Sequence, residues 1–91
     1  MRRNYDDPAY KDWRYKVYKR DRFRCQMPGC KSKFKLQAHH IKKWSEASTL
    51  RYDVNNGLTL CRACHDSICG MESHYEALFL EIVSSKHDKT R

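Results

Sequence analysis

The stretch that decides the fold reads Ala38-His39-His40-Ile41 and, after fourteen further residues, Asn56-Gly57-Leu58-Thr59-Leu60-Cys61-Arg62-Ala63-Cys64-His65. Residues 36–41 alternate loosely between polar and apolar, as a half-buried strand does. Asn56-Gly57 is a turn signal, and Leu58-Thr59-Leu60 reads as a second short strand. Residues 62–68 then read as a short helix, ended by Gly70. Residues 42–56 show neither a helical nor a strand period and read as a loop.

Working outward, both flanks read as helices. Asp7-Pro8 is an N-cap followed by proline at the first helical position. Behind it Tyr10, Trp13, Val17 and Tyr18 share one face, which predicts a helix over residues 8–21. Core packing is the first reading of that aromatic stripe, and the basic side formed by Lys11, Arg14, Lys16, Lys19 and Arg20 is a candidate contact for a phosphate backbone. At the other end Tyr75, Leu78, Phe79, Ile82 and Val83 repeat at helical spacing, predicting a helix over residues 72–85 with a polar tail after it. Between the first helix and the central strands, residues 23–30 read as a short strand ending in a Pro28-Gly29 turn. The whole is expected to be one small α+β domain.

The cysteines fall into two close pairs. Cys25 and Cys30 have four residues between them, and Cys61 and Cys64 have two. Each pair flanks a tight turn, so two thiolates from each can reach one ion. Zn²⁺ favours four such ligands in a closed tetrahedral site. Such an ion would fasten the first third of the chain to the last third. Two disulfides or buried free thiols are the alternatives, and the absence of a signal-like leader favours a reducing, cytoplasmic setting. The fifth cysteine, Cys69, reads as a plain core thiol.

Composition narrows the class further. The chain has 91 residues, 19 Lys+Arg against 11 Asp+Glu, and a formal net charge of +8. A chain this short buries only ~60–65% of its unfolded surface, so a metal staple would help it. Its longest uninterrupted apolar run is Ala77-Leu78-Phe79-Leu80, far too short to cross a bilayer. Residues 1–45 carry 14 Lys/Arg and 4 Asp/Glu, whereas residues 46–91 carry 5 and 7. A one-sided positive field attracts polyanions, DNA and RNA above all.

The order of His39-His40, Asn56 and His65 between two cysteine pairs resembles the HNH endonuclease family, over residues 23–69. The resemblance implies a ββα-metal core, with two antiparallel strands and a helix gripping a catalytic divalent cation. It also implies a four-cysteine Zn²⁺ site at Cys25, Cys30, Cys61 and Cys64. His40 matches the general base, and Asn56 matches the residue that holds the loop around it. His39 and His65 match the ligands of the catalytic ion, with Mg²⁺, Mn²⁺ or Ni²⁺ suited to that set. The implied partner is double-stranded DNA, cut to 5′-phosphate and 3′-hydroxyl ends. A histidine four residues after the last ligand, present in some relatives, is replaced here by Cys69.

Lys42, Lys43, Arg51 and Arg62 flank these residues and are the expected phosphate contacts. Two adjacent strand residues point to opposite faces, so the strand must twist, bulge or end at His39-His40. Surface histidines or spare zinc ligands are the alternative for that pair. The chain looks most like small phage and prophage HNH proteins, some of which sit beside the terminase. A non-catalytic zinc-binding DNA module, or one that engages a terminase, is the competing reading. Monomer and dimer both remain open.

Overall fold

The computed structural model describes residues 7–42 and 51–88. The elements run α1 (Pro8–Arg20), β1 (Leu36–His40), a 3-10 turn (Val54–Asn56), β2 (Gly57–Cys61), α2 (Arg62–Ser67) and α3 (Glu72–Asp88). The two strands form an antiparallel sheet, with Leu36 opposite Cys61 and His40 opposite Gly57. This is the α+β arrangement expected from the sequence.

The hairpin lies between two apolar layers. On one face, Tyr10, Trp13 and Val17 of α1 pack with Ala38 and Val54. On the other, Leu58 and Leu60 join Ile41, Ile68, Phe79 and Val83 around the buried Cys25 and Cys61. The period-2 alternation of β2 produces this division, with Leu58 and Leu60 turned one way and Gly57 and Thr59 the other.

Gly57 explains how closely α1 approaches. Its φ of −126° is ordinary extended backbone, so conformation does not require glycine. A Cβ there would lie 2.5 Å from Val17 Cγ2 and 2.7 Å from Trp13 Cζ2. The residue read as part of a turn signal is therefore the first residue of β2, and its missing side chain admits α1.

The start of α1 follows its sequence. Asp7 Oδ1 accepts from the Ala9 N–H at 2.9 Å, and Pro8 opens the helix. Its end is less expected. Arg22 N–H donates to Lys19 O at 3.1 Å and Phe23 N–H to Tyr18 O at 2.8 Å. This is the paired bonding of a Schellman cap, which places Arg22 where glycine is usual. Arg22 and Phe23 both take left-handed φ, 59° and 56°. Phe23 folds back against Tyr18 and Tyr15, with centroids 6.0 and 6.2 Å away.

The expected strand over residues 23–30 is consequently absent. Phe23 belongs to the helix cap, and Cys25 N–H donates locally to Ser32 O at 2.8 Å. The turn within that segment does form. Cys30 N–H donates to Met27 O at 2.9 Å around Pro28 and Gly29, and Gly29 takes φ 86°. Proline then a left-handed glycine make this a type II turn.

A buried charge joins the layers. Asp21, the C-cap of α1, is 1% exposed. Its Oδ2 accepts from Thr59 N–H at 2.9 Å, and Arg20 forks both its oxygens at 2.9 Å. Arg20 also donates to Val54 O at 2.8 Å and Gly57 O at 2.6 Å. Lys86 of α3 approaches Asp21 Oδ1 at 3.7 Å. That contact accompanies a longer α3 than expected, continuing to Asp88. Of the anticipated α3 stripe, Phe79 and Val83 are buried, Tyr75 and Ile82 are half-buried, and Leu78 is exposed.

Candidate functional site

The four paired cysteines converge. The Sγ atoms of Cys25, Cys30, Cys61 and Cys64 all lie within 4.8 Å of one another. Cys30 Sγ and Cys61 Sγ are 3.9 Å apart, nearly twice a disulfide bond length of ~2.05 Å. Four thiolates at ~2.3 Å from one tetrahedral ion would be about 3.8 Å apart. The spacing fits a zinc-like site and not a pair of disulfides. The Met27–Cys30 turn presents Cys30, and β2 running directly into α2 presents Cys61 and Cys64.

The thiols differ in acidity. The Cys64 N–H pointing at Cys61, helped by the neighbouring thiols, lowers the Cys61 pKa to about 7. Burial pushes Cys25 and Cys64 upward. An ion bound here would displace the remaining protons. Cys69 stands apart and is exposed. The expectation of a core thiol was wrong because α2 ends at Ser67 and Ile68 fills the core position.

At the far end of β1 the histidines separate. His39 faces α2 and α3, with its ring centroid 5.5 Å from His65 and 5.6 Å from Phe79. Two imidazoles sharing one ion at ~2.1 Å per bond have centroids roughly 4.5–6 Å apart. His39 and His65 therefore suit joint ligation of a metal. His40 faces α1, stacked on Trp13 at 4.0 Å with planes 11° apart. The strand stays regular through both residues and ends at His40.

His40 is held from two further directions. Its Nε2 lies 2.8 Å from Arg51 O. A carbonyl only accepts, so Nε2 carries the proton and the lone pair of the neutral ring is on Nδ1. Asn56 secures the chain just beyond. Its Oδ1 accepts from Lys42 N–H at 2.9 Å, and its Nδ2 donates to Lys42 O at 3.3 Å. Ile41 N–H donates to Asn56 O at 2.9 Å. Trp13 reaches the same loop, its Nε1–H donating to Asp53 O at 2.8 Å.

The expected DNA contacts are less gathered. Lys42 pairs with Glu76 of α3 at 3.1 Å, and Arg62 with Asp66 one turn along α2 at 3.6 Å. Arg51 contributes its carbonyl to His40. Lys43 lies outside the described residues. Sequence reasoning missed Trp13 as a neighbour of the histidine, because its place on a helical stripe reads as core. It also missed the Arg51 carbonyl, since main-chain atoms leave no trace in residue type.

A β-hairpin and following helix that share a thiol cluster at one end and a histidine cluster at the other define a ββα-metal class of protein. Residues 25–70, just over half of the chain, match the HNH endonuclease family, and the chain belongs to that family. No curated protein and no solved structure matches the chain. No helix among the described residues is long and apolar enough to cross a membrane.

Proposed function

We propose that this chain is a metal-dependent DNA endonuclease that nicks one strand at a time, with zinc in the four-cysteine site. The observation that carries the reading is the setting of His40, clamped through Nε2 to Arg51 O, beside the His39–His65 pair. With the ring proton on Nε2, Nδ1, a buried atom in this structure, is the nitrogen that would take a proton from the attacking water, as a base near neutral pH should. Trp13 fixes the plane of the ring, and Asn56 fixes the chain that follows it. His39 and His65 are the residues that would hold a cation such as Mg²⁺, Mn²⁺ or Ni²⁺. When bound, that cation supplies charge stabilisation to the phosphoryl oxygens and the leaving 3′ oxygen.

His39 and His40 leave β1 on opposite faces, so a phosphate meeting both lies past the strand end, near residues 41–42. After transfer, the expected ends are a 5′-phosphate and a 3′-hydroxyl. A single such site cuts one strand, so a double-strand break requires a second copy or a second nick. On the resemblance read in the sequence alone, we place it in phage DNA processing, beside a packaging terminase.

The test is nicking of supercoiled plasmid at low salt with each divalent ion. His40→Ala should lose activity by about 10²–10⁴-fold while retaining zinc and a cooperative fold, at a melting temperature lowered by the lost stacking on Trp13 and the lost bond to Arg51 O. Nicking by His40→Ala at the wild-type rate removes His40 as the base. No nicking by wild type with any ion leaves the non-catalytic DNA-binding module as the function.

A further inference from the structure

We infer that the cleft between α1 and the outer edge of β1 is an anion site for a backbone phosphate of the bound DNA strand, with Arg14 as its recognition residue. The inference rests on the nucleic-acid reading above for its ligand, but not on cleavage.

The cleft is walled by Tyr10, Arg14 and Tyr18 of α1, by β1 residues 36–38, and by His65 of α2. Among the described residues the sheet has two strands, and the side of β1 away from β2 carries no strand partner. Tyr18 Oη donates to Leu36 O at 3.0 Å and closes one end of that edge. Among the described residues that wall it, none is acidic.

Arg14 is half-buried. Its guanidinium lies over the Tyr10 ring, 5.7 Å from the centroid. Among the described residues no carboxylate pairs with it, whereas Lys16, Arg20, Lys42, Arg62 and Lys86 all have acidic partners. A partly desolvated cation with no counter-charge favours an anion, and the planar fork of arginine matches phosphate oxygens bidentately. Across the same cleft stands His65, one of the two candidate ligands for the catalytic cation. A strand lying along the cleft would bring one phosphate to Arg14 while a neighbouring part of the same strand runs toward His65. The geometry also gives α1 a part in substrate binding that its aromatic stripe alone does not suggest.

The experiment is a salt titration of binding by anisotropy, using a fluorescein-labelled 20-base-pair duplex and zinc-loaded protein without added catalytic metal. Arg14→Gln should reduce the slope of log K against log salt by about 0.9, the value for one lost phosphate contact. Arg14→Lys should keep the slope, and Lys16→Gln, about 200° around the helix, should move it less than Arg14→Gln does. In the wild type, the duplex should also protect Arg14 from phenylglyoxal several-fold, read by peptide mass spectrometry, which covers the case of a variant that does not fold. An unchanged slope in a folded Arg14→Gln protein, or no protection of Arg14, overturns the inference. A slope change in a protein that never nicks sustains this site and removes the nuclease reading. Nicking with an unchanged slope does the reverse.

Discussion

The two ends of the hairpin are built on different principles. At the Leu36–Cys61 end, four thiols from two short segments converge on a point, and one ion would hold all of them. At the His40–Gly57 end, the histidines are held by neighbours of several kinds: an indole face, a main-chain carbonyl, an asparagine clamp and a phenylalanine edge. The first end concentrates its stability in one element. The second distributes its geometry over residues 13 to 79. Damage at the first should therefore be felt everywhere, and damage at the second mainly in the chemistry.

Metal removal should produce the largest effect. Chelation at neutral pH should abolish cooperative thermal unfolding, followed by far-ultraviolet circular dichroism, because structural-zinc binding energy is folding energy. A cooperative transition that survives complete zinc loss would erase the contrast between the two ends. Next comes Trp13→Ala, which removes a buried aromatic and the stacking partner of His40. It should cost about 3–5 kcal/mol in urea denaturation, with nicking lost beyond what the unfolded fraction explains. Asn56→Ala should be milder in stability, at about 1–3 kcal/mol for the unpaired main-chain groups of Lys42. Its kcat should fall more than its KM rises. Equal changes in both would place Asn56 in substrate binding instead. The smallest effect is expected from Arg22→Gly, which relieves a left-handed arginine and should stabilise by roughly 0.5–1 kcal/mol, leaving nicking unchanged.

The same contrast governs what the sequence disclosed. The cysteine site was legible because each pair is local, and residue type with spacing nearly determines its geometry. The strands around His39 and Leu58 and the two outer helices were legible from periodicity. The segment at residues 23–30 was misread because Phe23 looks like a strand residue, whereas its ring closes a helix cap. Cys69 was misread because α2 ends before it, and Ile68 occupies the core. Trp13, the Arg51 carbonyl and the Arg20–Asp21 pair were not identifiable as parts of the site. Their roles depend on contacts 30 or more residues apart in sequence for Trp13 and Asp53, Arg20 and Val54, and Asp21 and Thr59. Such contacts leave no local pattern.

The Arg20–Asp21 junction has a consequence for anyone transplanting this nuclease motif. The family match spans residues 25–70, yet the groups that steady its histidine end lie on both sides of that span. Trp13, Arg20 and Asp21 precede it, and Phe79 and Lys86 follow it. An excised motif would keep all four thiols and all three histidines but lose the keystone carboxylate under Thr59. It should bind zinc and fail to hold His40 in place. A graft into a new scaffold must therefore carry both outer helices, or reproduce their grip on the strand end.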